Sequence, residues 1–128
     1  MTRALADTSL FIARESGRTL AQIELPDELA ISVITVGELR AGVLATPDIR
    51  TRDVRLATLM AALTFDAVPI DQAVAEAWAL LRILLRDGGL KMPVNDSWIA
   101  ATAMTLGVPV VTQDDDYVEL GGLSVIRV

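Results

Sequence analysis

The chain has 128 residues, 52% of them hydrophobic, which fits one domain with a substantial core and argues against a disordered chain. It contains no cysteine and no histidine. That excludes disulfides, thiol nucleophiles and zinc-thiolate sites, together with every mechanism that turns on an imidazole base. The net charge of −6, from 17 acids against 11 bases, argues at first sight against a polyanionic partner.

A mean hydropathy of +0.47 raises the question of a membrane span. The longest uncharged stretch, 97–113, is broken by Gly107 and Pro109 and carries Ser97, Thr102, Thr105 and Thr112. It reads as a buried helix followed by a buried strand. The N-terminal "MTRALADTSLFIARE" is interrupted early by Asp7 and lacks a small-residue cleavage pattern, so the expected location is the cytoplasm.

In chain order, "RALA" is a short apolar run ending at Asp7, and "SLFIARE" is a first helix that stops near Gly17. "ELAIS" at 28–32 is a strand after the break at Pro26, and a helix fits 35–44, ended by Thr46-Pro47. Between Arg52 and Phe65, Leu56, Leu59, Met60 and Leu63 follow helical spacing. "AVPI" is a brief strand-like run. Asp71 then caps a long apolar helix in which Val74, Trp78, Leu81 and Leu85 share a face, and Gly88-Gly89 stops it. Asn95 or Asp96 opens the next helix, Gly107 ends it, and "VPVVT" and "LSVIRV" are the last strands. No internal repeat or linker appears, so 1–128 reads as a single domain. The predicted fold class is α/β: a central, mostly parallel sheet of about four to five strands flanked by helices on both faces.

Five acids stand at informative places: Asp7 after the first strand, Glu38 in the helix after the second, Asp96 at the start of the helix leading into the third, and Asp114 and Asp116 just after it. Each has an ordinary explanation. Asp7 and Asp96 suit helix N-caps, Thr35 with Glu38 matches a capping box, and "QDDDY" suits a turn. Caps do not explain why acids recur at the same end of successive β-α units, the end where ligands gather in open parallel sheets. Setting these five aside leaves 12 acids against 11 bases, so nearly all the excess negative charge lies in one candidate site. Converging carboxylates repel unless a cation neutralises them. Hard oxygen donors without His or Cys suit Mg²⁺, with Mn²⁺ able to substitute. A divalent ion acidifies water and stabilises charge at phosphorus, so phosphoester hydrolysis is the natural chemistry.

"DTS" at Asp7, "SVITVGELRAG" at 32–42, "NDSWIAATA" at 95–103 and "VVTQDDDY" at 110–117 resemble, in order and spacing, the motifs of the PIN domain, and more closely those of the VapC ribonuclease toxins of type II toxin-antitoxin systems. The resemblance runs over nearly the whole chain. It implies that Asp7, Glu38 and Asp96 are catalytic and metal-binding, with Asp114 and Asp116 supplying the fourth acid and Asp115 a third possibility for that place. Ser9 and Thr112 would be supporting hydroxyls. It also implies a Mg²⁺-dependent endoribonuclease, an RNA substrate, a VapB-type antitoxin partner reaching the acidic cleft, and a homodimer. Gly37 and Gly42 flank Glu38 as in the family's "GELxxG" pattern, and close packing of that helix on the sheet is the expected reason for them. Arg14, Arg18, Arg40, Arg50, Arg52 and Arg55 are candidates for a phosphate-binding rim. With only five aromatic residues, an extended base-stacking platform is not expected. The competing readings are a non-catalytic PIN-like scaffold that binds a partner, and a metal-dependent phosphatase. A receiver-type phospho-acceptor fits poorly, because the first strand ends in one acid and Lys91 precedes a helix.

Overall fold

The first strand shows how the sequence divides the core. In the computed structural model, which describes residues 3–20 and 26–128, β1 (Arg3–Ala6) buries Ala4, Leu5 and Ala6. Successive side chains of a strand point to opposite faces. Leu5 accordingly joins a cluster with Leu81, Leu85, Ile99 and Val110, while Ala6 joins Phe11, Ile31, Leu39 and Leu59 on the other side. One cluster lies beneath α4 and α5, the other beneath α1, α2 and α3, so both sheet faces are covered as predicted.

The remaining elements are α1 (Thr8–Glu15), β2 (Glu28–Ser32), α2 (Val33–Leu44), α3 (Ile49–Ala62), β3 (Ala67–Val68), α4 (Gln72–Asp87), α5 (Val94–Leu106), β4 (Val110–Thr112) and β5 (Val125–Arg127). The described strands form one five-stranded sheet in the order β3-β2-β1-β4-β5, with every pairing parallel. Strand order reverses between β1 and β4. Asp7 follows one of these strands and the Asp114–Asp116 run follows the other, which places both at the crevice where such sheets bind ligands.

Some local expectations change. The helix expected at 35–44 begins two residues earlier, because Ser32 caps it by accepting from the amide of Ile34; Thr35 is therefore inside the helix and Glu38 is no part of a capping box. Neither Asn95 nor Asp96 caps α5. Pro93 takes that place, with no side-chain cap bond, and Asp96 falls in the first turn with its carboxylate uncommitted to the cap. The helical spacing along α3 is correct, but the stripe is only partly used: Leu59 is buried, whereas Leu56, Met60 and Leu63 face outward. Asp71 caps α4 as expected, accepting from the amide of Val74 at 2.9 Å. Close packing does not explain the glycines of α2. A Cβ at Gly37 would meet open space, and one at Gly42 only ordinary contact with the Arg55 side chain at 3.9 Å.

Candidate metal centre

Asp7 anchors the site. It is 1% exposed and serves as the α1 N-cap, its Oδ2 accepting from the amide of Ser9 at 3.3 Å. The same oxygen accepts from Thr112 Oγ1 at 3.0 Å, and Oδ1 accepts from the hydroxyl of Tyr117 at 2.8 Å. The residue that caps α1 thus also lies close enough to Asp96 and Asp114 for its charge to act on them. Since Thr112 gives its proton to Asp7, Ser9 Oγ is the donor in the 3.2 Å contact between Ser9 and Thr112. The chain of hydroxyls is closed by backbone donors: Gln113 N to Ser9 Oγ at 2.9 Å and Asp114 N to Thr112 Oγ1 at 2.9 Å. Linked hydrogen bonds of this kind polarise one another and fix the carboxylate in one orientation. They also lock the turn after β4, which sets where Asp114 stands.

Glu38 is held by a second set of hydroxyls. Thr8 Oγ1 donates to Glu38 Oε1 at 2.8 Å, and with that proton committed, the buried Thr35 hydroxyl donates to Thr8 across another 2.8 Å. Thr35 thus supports Glu38 through Thr8, a role quite unlike the cap it resembles in sequence.

The carboxylates of Asp96, Asp114 and Asp116 converge, with one oxygen from each lying within 4.8 Å of the others. Asp7 and Glu38 stand outside this tightest group but act on it electrostatically. Burial, reinforced by the charges of Asp7, Asp114, Asp116 and Glu38, pushes the Asp96 carboxyl up to about 7. Asp114 is raised as well, by burial and by Asp7 and Asp116, with Arg18 pulling the other way. A bound cation would relieve this mutual repulsion. Asp115 points elsewhere: its side chain is fully exposed and pairs with Arg127 at 3.6 Å.

The donors fit the ion that the composition suggests. All are carboxylate oxygens, a set that favours Mg²⁺ or Mn²⁺ over softer metals. Among the described residues, no lysine or arginine forms a salt bridge to Asp7, Glu38, Asp96, Asp114 or Asp116. Of the arginines expected at a phosphate rim, Arg52 and Arg55 instead donate to the carbonyls of Val43 and Gly42 near the end of α2, while Arg18 lies close enough to Asp114 to influence it.

Two contributors escape the sequence reading. Thr8 lies inside the "DTS" motif beside the residues singled out. Tyr117, completely buried, is legible only as an aromatic directly after three aspartates, a poor place for a ring unless it turns inward.

The PIN-domain family profile matches residues 4–123. Over 124 residues the chain is 47% identical to Ribonuclease VapC5 of Mycobacterium tuberculosis, covering 95% of this chain and 90% of that protein. It is 46% identical to Ribonuclease VapC4 of the same organism over 126 residues, covering 98% and 97%. The crystal structure of VapBC-5 from Mycobacterium tuberculosis, described as a member of the VapBC family of toxin-antitoxin systems, contains a chain that superposes with a TM-score of 0.91 at 40% identity, covering 100% of both chains. The chain belongs to the PIN-domain family and, within it, to the VapC ribonucleases.

Proposed function

We propose that this chain is a Mg²⁺-dependent endoribonuclease, the toxin of a type II toxin-antitoxin pair, acting as a single nuclease domain in the cytoplasm. One observation carries the reading: three carboxylates gathered within 4.8 Å, with Asp96 pushed up to about 7, beside a buried Asp7 held by three donors. The VapC relatives support RNA as the substrate and the VapBC neighbour supports an antitoxin partner. Exposed apolar side chains at Ile12, Leu44, Ile49, Val54 and Met60 offer such a partner a surface. Among the described residues no helix is long and apolar enough to cross a membrane.

Asp96, Asp114 and Asp116 would hold the ion, with Asp7 and Glu38 completing the negative surround. A bound divalent cation supplies Lewis-acid charge to phosphate oxygens and acidifies nearby water. The chain's own residues do the rest. The Ser9-Thr112 relay and Tyr117 fix the orientation of Asp7, and Thr35 through Thr8 fixes that of Glu38. The Asp96 carboxyl, pushed up to about 7 by burial and its acidic neighbours, would give up its proton as a cation arrives.

The test is incubation of a mixed cellular RNA pool with purified chain in Mg²⁺, in Mn²⁺ and in excess chelator, alongside Asp7→Asn and Asp96→Asn. Discrete fragments that need metal and vanish in both variants are expected. Full cleavage by both folded variants would overturn the site assignment.

A further inference from the structure

We propose that a cleft of about 470 Å³ between the C-terminal half of α4 and the start of α5 binds single-stranded RNA flanking the scissile phosphate, an inference that rests on the nuclease reading. The lining joins three cations, Arg82, Arg86 and Lys91, to the apolar side chains of Ile83, Leu90 and Met92. On a chain of net charge −6, three of 11 bases, including the one lysine, meet here.

The local sequence builds this concentration. Arg82 and Arg86 are four apart on α4 and so share a face. Gly89, at φ +65°, adopts a conformation that side-chain-bearing residues rarely take, and its turn brings Lys91 round to the same cleft. The Arg82 guanidinium lies 5.2 Å above the Trp78 ring, which stacks on Trp98 at 4.4 Å and 3°. This pre-orders one cation without neutralising it. Lys91 has no salt bridge among the described residues. Among the described residues the one acid paired with Arg86 is Asp87, in an exposed pair worth little.

The cleft reaches the residue next to Asp96 in the chain. Ser97 lines it, receives the indole N–H of Trp78 at 3.0 Å, and is the chain neighbour of Asp96. A strand whose phosphate is held at the carboxylate cluster therefore has cations for its neighbouring phosphates and apolar surface for a sugar or base. An acidic peptide fits less well, since it brings no phosphate for a cation held by the adjoining carboxylates and no bases for the apolar wall.

The test measures binding of a short, fluorescein-labelled, mixed-sequence single-stranded RNA by anisotropy across a salt series. Excess chelator keeps the proposed nuclease silent. Arg86→Ala combined with Lys91→Ala is expected to weaken binding about tenfold and to reduce the log-log salt slope by about 1.4, since two phosphates are no longer neutralised and each accounts for about 0.7. Arg86→Lys combined with Lys91→Arg should restore both. Both positions are exposed, and circular dichroism checks the fold. Unchanged affinity and slope in the alanine variant would overturn the proposal. So would loss of binding to a glutamate-rich peptide in that variant while RNA binding persists, which would make the cleft a protein-docking site. If the wild-type chain cuts no RNA in Mg²⁺ or Mn²⁺ yet binds it through Arg86 and Lys91, the nuclease reading fails and the cleft stands.

Discussion

Tyr117 donates a 2.8 Å hydrogen bond to Oδ1 of Asp7 from a completely buried position, joining the loop after β4 to the end of β1 across 110 positions of sequence. Burial and the facing carboxylate push the phenol far above its ordinary range, so it remains a donor at any working pH.

Tyr117→Phe keeps the ring and removes only the donor. Losing a hydrogen bond to a charged group costs about 1.5–3 kcal/mol where the partner stays buried, and altering the groups that surround a metal's ligands typically costs about 10–100-fold in affinity or activity. The expected variant is folded, binds Mn²⁺ about tenfold or more weakly by calorimetry, and cleaves RNA correspondingly slowly. Wild-type Mn²⁺ affinity would show that Thr112 and the Ser9 amide hold Asp7 unaided.

Asp96→Asn separates stability from function. The carboxyl is raised by burial and by four neighbouring acids, so removing its charge relieves repulsion in the metal-free chain. A gain of about 1 kcal/mol, a few degrees in Tm for a domain of this size, is expected in excess chelator, together with loss of RNA cleavage. A Tm below wild type in chelator would contradict the electrostatic account.

The same residue sets a pH dependence. Its pKa rises from 3.8 in the ordinary state to about 7 in the fold. Between those values the folded chain holds a proton that the unfolded chain has released, so stability falls as pH rises through the window and levels off above about 7. In chelator, the Tm advantage of Asp96→Asn should therefore widen from about pH 5 to 7 and then stay constant. With saturating Mg²⁺ the wild type should gain Tm and the variant little, since ligand binding stabilises only the form that binds it. A gap independent of pH would place the Asp96 titration elsewhere.

Legibility in the sequence follows the range of the interaction. Strand 28–32 and the Asp71 cap are readable because alternation, breakers and caps are local signals. The starts of α2 and α5 mislead because "TVGE" and "ND" are good capping chemistry, and only the three-dimensional paths show Ser32 and Pro93 taking those places. Topology alone puts the five acids at one end of the sheet. What topology does not give is their support: Tyr117 and Thr112 reach Asp7 from 110 and 105 positions away, and Thr8 reaches Glu38 from 30. Gly37 is a different failure, since the space beside it is open and close packing is not the reason for it.

The three consecutive aspartates give the sharpest discrimination, because chemistry is constant and only position differs. Asp114 and Asp116 each contribute an oxygen to the tight group with Asp96, whereas Asp115 is fully exposed and turned toward Arg127. Asp114 is the better fixed of the two, since its own amide is tied to Thr112 Oγ1. Asp114→Asn should therefore cost the most, about 100-fold in cleavage or Mn²⁺ affinity, and Asp116→Asn about tenfold, the range seen when groups around a metal are altered. Asp115→Asn gives up only an exposed ion pair, of the kind worth about 0–1 kcal/mol, and should cleave like wild type. Three single variants, read side by side for cleavage and for Mn²⁺ binding by calorimetry, decide the order. A loss in Asp115→Asn equal to that in Asp114→Asn would mean that the run acts through its summed charge, with no individual carboxylate fixed toward the ion.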